Sequence, residues 1–197
     1  MNNAIFNFQD PKNEVVQNYE PRSNERIQLT KELERQSKQT IEIPLIIGGK
    51  EIRTGKIENV VMPHDHKHII ATYHTATEKE VKLAIHASLK ARESWSNLSW
   101  VVRSSILLKA ADLLSVRYRS LINAATMLGQ SKNAYQAEID SACETIDFLR
   151  YNAYFASKIY SNQPKSGFNQ LNRMEYRSLE GFVFTVSPFN FTAIASN

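Results

Sequence analysis

The run Phe182-Val183-Phe184-Thr185-Val186 carries no charge, and Pro188 ends it just ahead of Phe189-Asn190-Phe191. β-branched and aromatic residues in unbroken succession suit a strand buried on both faces. Such strands belong to parallel sheets with helices on either side, so the segment points to an α/β architecture. A buried strand is incomplete without those flanking layers. The sequence stops soon after it, at Asn197, so the chain is expected to be the N-terminal part of a longer protein.

The other elements come in blocks. Residues 1–22 are polar and interrupted by Pro11 and Pro21, which predicts an irregular arm. Ser23 is a suitable N-cap for a surface helix over "SNERIQLTKELERQ". In "IEIPLIIGGKEIRTG" two β-rich runs flank Gly48-Gly49, a pair suited to the positive φ angles of a tight hairpin. "IENVVMP" and "HIIATYHTA" read as further strands around a histidine-rich loop. At Thr77 the period changes. Thr77 and Glu80 form a capping box, and Val81, Ala84, Ile85 and Ser88 follow helical spacing. A second helical run has Ile106, Ala110, Leu113, Leu114 and Leu121 as its apolar residues and Gly129 as its stop. A third has Ile139, Ala142, Ile146, Leu149 and Ala153 on one face and closes before Pro164. The predicted segments are an arm and helix at 1–40, strands at 41–76, helices at 77–163 and strands again at 164–197.

Composition excludes several functions. Hydrophobic residues make up 42% of 197, enough for a core. The net charge is +4, but basic and acidic residues are interspersed, so no basic stripe marks a nucleic-acid surface. One cysteine, Cys143, cannot form an intramolecular disulfide. No apolar window reaches the ~18 residues of a membrane span. The first twenty residues lack a compact apolar core and carry Asp10, Glu14 and Glu20, which suits neither a secretory signal nor a transit peptide. A cytoplasmic protein with no membrane or nucleic-acid partner is expected. Its six glycines draw neither a GxGxxG nor a GxxxxGK[ST] phosphate cradle.

Four features carry candidate chemistry. Ser187, Pro188, Phe189 and Asn190 would stand at the C-terminal end of the apolar strand, where ligands bind in parallel sheets. A rigid Ser-Pro turn can hold the Asn190 amide towards a developing oxyanion; on spacing alone, a helix N-cap is the favoured reading. Glu138, Asp140, Glu144 and Asp147 could do acid–base work if burial separated their pKa values, but a solvated helix face is the default. His64, His66 and His68 alternate and could align on one strand face as zinc ligands. No cysteine or acidic set completes such a site, so no metal is expected. Cys143, mid-helix beside Glu144, reads as a packing residue.

Several of these stretches together resemble the aldehyde dehydrogenase superfamily. "LEGFVFTVSPFNFTAI" is similar to its first cofactor-binding strand and oxyanion turn, where most members have Pro-Trp-Asn-Phe-Pro. Pro-Phe-Asn-Phe-Thr at 188–192 resembles the branch that oxidises L-glutamate γ-semialdehyde to glutamate in proline degradation. "LLKAADLLS", "GQSKNAYQAEIDSACETIDFLRYNA" and "NEVVQNYEPRSNER" point to the same branch. The resemblance implies NAD as cofactor, a small-molecule aldehyde as substrate and a homo-oligomer at full length. It implies a covalent route, in which a thiolate adds to the aldehyde, hydride passes to NAD and water releases the acid. Asn190 then becomes the oxyanion donor, Ser187, Pro188 and Phe189 contact NAD, and Phe191 packs on the aliphatic part of the substrate. Glu138 becomes a partner of the substrate's α-ammonium group. Only the resemblance moves it off the surface.

The family's nucleophilic Cys, general-base Glu, NAD-contacting Lys and later Gly-rich turn have no match in residues 1–197, and Cys143 is out of the nucleophile's place. The expected chain is therefore the first third of such an enzyme, inactive alone, with a β-hairpin region, a helical segment and the first strand of a Rossmann-like NAD-binding sheet. Met1 leads directly into the family's own N-terminus, which favours the monofunctional form. Two rival expectations stand beside it: a non-catalytic assembly module built from the same helices, and a metal site at His64, His66 and His68.

Overall fold

The computed structural model describes residues 8–196. The first seven residues of the expected arm, and Asn197, lie outside them. Helix α1 (Asn24–Ser37) starts where Ser23 Oγ accepts the Arg26 N–H at 3.3 Å. Five short strands follow: β1 (Ile41–Ile43), β2 (Leu45–Ile47), β3 (Lys50–Ile52), β4 (Ile57–Met62) and β5 (Asp65–His74). β2 and β3 form the expected hairpin, with φ of +57° at Gly48 and +75° at Gly49. β4 and β5 pair antiparallel, and β1 joins β5 in parallel to give the order β1-β5-β4. Buried His74 ties this sheet together, accepting the Gly55 N–H at Nδ1 (3.2 Å) and donating from Nε2 to Glu42 (2.8 Å).

Helix α2 (Glu78–Asn97) opens on the capping residues, with the Thr77 N–H donating to Glu80 Oε2 at 3.0 Å. Beyond it come α3 (Trp100–Leu113), α4 (Arg119–Gln130), α5 (Ala134–Ala137) and α6 (Glu144–Ser161). The second and third predicted helical runs are each broken by a π-helical turn, Leu114–Tyr118 and Glu138–Cys143. A π turn adds a residue to the helical repeat and so rotates the face that follows. That explains why Ile122 is buried while Leu121 is exposed, against the predicted apolar face. Ile106, also predicted inward, is exposed. α4 runs past Gly129 to Gln130, and the left-handed residue that ends it is Ser131, at φ +55°.

The core lies between α3, α4 and α6, where Ala111, Ile122, Ala142, Ile146 and Leu149 cluster and Ala193 packs on them. Alanines at these contacts let the helix axes approach closely. A second cluster of Tyr19, Leu29 and Ala124 seats the N-terminal arm and α1 on α4.

The predicted strand at Phe182–Val186 is not found. Among the described residues beyond α6 the only β-pairing is an isolated bridge between Gly167 and Gln170. A strand needs partners for its N–H and C=O groups. The described strands all lie within residues 41–74, away from this run. Phe184 and Val186 are 80% and 78% exposed. The chain just before is tied to the helices by side-chain contacts instead, with Arg92 Nε donating to Leu179 O (2.8 Å) and Tyr176 Oη to Ile159 O (2.9 Å).

Candidate functional site

The end of α4 holds four successive residues of the Phe189–Thr192 turn. Gln130 Nε2 donates to Phe189 O at 3.3 Å. Lys132 Nζ donates to Asn190 O at 2.6 Å and lies 4.8 Å from the centre of the Phe191 ring. Fully buried Thr126 gives its hydroxyl proton to Ile122 O (2.8 Å), so it accepts from Thr192 Oγ1 at 2.6 Å. Ala193 then enters the core. Ser187, Pro188, Phe189 and Asn190 are exposed together, and Phe191 is half-buried. The helix that Asn190 was expected to cap does not follow directly; a short 3-10 turn, Ile194–Ser196, starts four residues on.

The acidic stretch is not a solvated face. Glu138 is fully buried. Its carboxylate receives Arg119 Nε at 3.2 Å, Tyr19 Oη at 2.7 Å, Asn123 Nδ2 at 2.8 Å and the Gln17 N–H at 2.8 Å. A second guanidinium nitrogen of Arg119 also donates to Glu138. Arg119 Nη1 reaches Glu14 at 2.6 Å, and Arg150 holds the other Glu14 oxygen at 2.6 Å. Asp147 pins the arm through the Glu14 N–H, and Asp140 pairs with Lys132, each at 2.6 Å. Burial alone would raise the Glu138 carboxyl, but hydrogen bonds from Arg119, Gln17 and Tyr19 outweigh it and hold its pKa below the ordinary range. Glu14 behaves likewise: burial raises it, and Ser115, Arg150 and Arg119 bring it down. Burial, reinforced by the Glu138 charge, pushes the Cys143 thiol up to about 12.

Helix α4 links the two regions. Arg119, Asn123, Thr126 and Gln130 recur at helical spacing along one face; the first two grip Glu138 and the last two grip the turn. The sequence reading missed these residues, together with Lys132. No local signal marked them, because the π turn at Leu114–Tyr118 shifts the phase of α4. Of the three histidines, His66 and His68 lie on β5 and His64 in the turn before it. His64 Nδ1 sits 2.7 Å from Ser131 Oγ, and His68 Nε2 sits 2.7 Å from Ser37 O. Among the described residues no cluster of His, Cys, Asp or Glu is placed to hold a metal ion. Nor is any described helix long and apolar enough to cross a membrane.

The aldehyde dehydrogenase family profile matches residues 51–197. The chain belongs to the aldehyde dehydrogenase family. It is 46% identical to the delta-1-pyrroline-5-carboxylate dehydrogenase of Agaricus bisporus over 98% of its length, covering 36% of that protein. It is 44% identical to the Dictyostelium discoideum protein named as the mitochondrial form of that enzyme, covering 98% of this chain and 35% of the relative. The NAD-bound crystal structure of the Mycobacterium tuberculosis enzyme superposes with a TM-score of 0.96 at 44% identity, over 99% of this chain and 37% of that one. The fold described above is therefore the N-terminal part of the aldehyde dehydrogenase fold. The chain spans about a third of the length of these relatives.

Proposed function

We propose that this chain forms part of an NAD-dependent enzyme that oxidises L-glutamate γ-semialdehyde, the open form of pyrroline-5-carboxylate, to glutamate in proline degradation. The observation that carries the reading is the match over 98% of the chain to relatives named for pyrroline-5-carboxylate oxidation. In this reading the Asn190 amide donates to the aldehyde oxygen as it gains charge, a contribution on the order of 100–1,000-fold in rate. Phe191 lies against the aliphatic part of the substrate. The open Ser187 hydroxyl and the uncovered Pro188 and Phe189 fit one edge of a nucleotide. NAD, when bound, supplies the hydride acceptor.

Glu138 is assigned differently from the expectation. Its carboxylate already holds Arg119, Tyr19, Asn123 and the Gln17 N–H, so a substrate ammonium would have to displace a buried guanidinium. We place it behind the site, fixing α4. Cys143 is not the nucleophile either, because a buried thiol with a pKa near 12 offers almost no thiolate at neutral pH. A homo-oligomeric state belongs to the same proposal.

The test is NAD reduction with the semialdehyde, run on a protein of the relatives' length that includes these residues and on the 197-residue chain alone. Turnover by the former and none by the latter is expected. Failure of the former removes the substrate assignment, and turnover by the latter removes the exclusion of Cys143.

A further inference from the structure

We propose that Lys132 is the positioning residue for Asn190, acting through the main chain of the turn. Its ammonium has three donors in a tetrahedral array, and the structure shows three acceptors around it. These are Asp140 Oδ2 at 2.6 Å, Asn190 O at 2.6 Å and the face of Phe191 at 4.8 Å. The Lys132 side chain is only 18% exposed, so it is not a freely solvated lysine that grazes the turn. Asp140 fixes the ammonium from the far side, on the π-helical turn that also carries Glu138. The peptide carbonyl of Asn190 and the side chain of Phe191 are thereby anchored to one point. Among the described residues the Asn190 side-chain amide is exposed and is not itself part of this anchor.

Neutral neighbours cannot replace this anchor. Gln130 holds Phe189 O at 3.3 Å and Thr126 holds Thr192 at 2.6 Å, so the residues on either side have their own ties. Asn190 and Phe191 share the Lys132 ammonium. A charge-assisted hydrogen bond to a carbonyl is roughly twice as strong as a neutral one.

The inference rests on Asn190 being the oxyanion donor, and the experiment separates the two ideas. Lys132→Met removes the charge and keeps the length; Lys132→Arg keeps the charge. Backbone amide relaxation by NMR on the 197-residue chain reads the turn directly. In Lys132→Met, the order parameters of Asn190 and Phe191 should fall below about 0.6, while those of α6 stay unchanged. Lys132→Arg should recover most of the order. Unchanged order parameters at Asn190 and Phe191 in Lys132→Met overturn the proposal, as does equal loosening of α6, which would mark a general structural role. In a protein of the relatives' length, the same variant should lower kcat by about 10–100-fold. KM for NAD should stay within about threefold. Lower order with an unaltered kcat in an active parent removes the link to catalysis. Lower order with a parent inactive towards aldehydes leaves the anchor standing and removes the oxyanion reading instead.

Discussion

Replacing Arg119 with Met would test whether the buried ion network holds the helical core together. Arg119 is buried, and its guanidinium meets Glu138, Glu14 and the Val15 carbonyl. Removing it leaves the Glu138 charge fully buried with four neutral or backbone donors, Tyr19, Asn123, the Gln17 N–H and the Cys143 thiol. Glu14 keeps Arg150, so its loss is partial. Breaking a buried pair from one side costs about 3–5 kcal/mol, because the remaining charge has lost its counter-ion. The surviving donors place the expected loss near the lower end, at about 3 kcal/mol. With a urea m-value of about 1–3 kcal/mol/M, the unfolding midpoint should fall by roughly 1–3 M. The double variant Arg119→Met/Glu138→Gln should regain part of that loss, since it no longer strands a charge. A loss below about 1 kcal/mol, the range of an exposed ion pair, would refute the reasoning. So would strict additivity of the two single variants.

Two further outcomes follow from the same network. Glu138 and Glu14 both have folded-state pKa values below the ordinary carboxylate range. Their contribution is present above an unfolded pKa of about 4.3 and is lost as pH falls through the lower folded values. Unfolding midpoints measured from pH 6 downwards should therefore drop in acid, and Glu138→Gln should flatten that dependence; an equally steep drop in the variant would contradict it. Cys143, with its thiol pushed up to about 12, should react with an aromatic disulfide at pH 8 only as the chain unfolds. Modification in seconds under native conditions would contradict its burial.

The parts of the fold set by local chemistry could be read directly from the sequence. Ser23 caps α1, Gly48-Gly49 turns the hairpin, and Thr77 with Glu80 starts α2, each within one turn of the residues that specify it. The phase of α4 could not be read, because the π turn at Leu114–Tyr118 leaves no mark in a simple 3.6-residue period. The burial of Glu138 was hidden for another reason. Its counter-ion Arg119 is nineteen residues away, and its other partners lie on α4 and the N-terminal arm, so the acidic run looked solvated. The apolar run at Phe182–Val186 advertises burial, yet among the described residues no neighbouring strand covers it. Pattern reports what a segment can bury, whereas partners decide whether it does.

The turn itself was legible as chemistry before it was legible as geometry. Residues 188–192 suggested an oxyanion donor through resemblance alone, and the structure adds how α4, Gln130 and Lys132 hold it. The most direct test of that role is Asn190→Ala in a protein of the relatives' length, assayed for NAD reduction with glutamate semialdehyde. A fall in kcat on the order of 100–1,000-fold, with the fold unchanged by circular dichroism, is the predicted result. A kcat within about threefold of the parent would contradict the assignment.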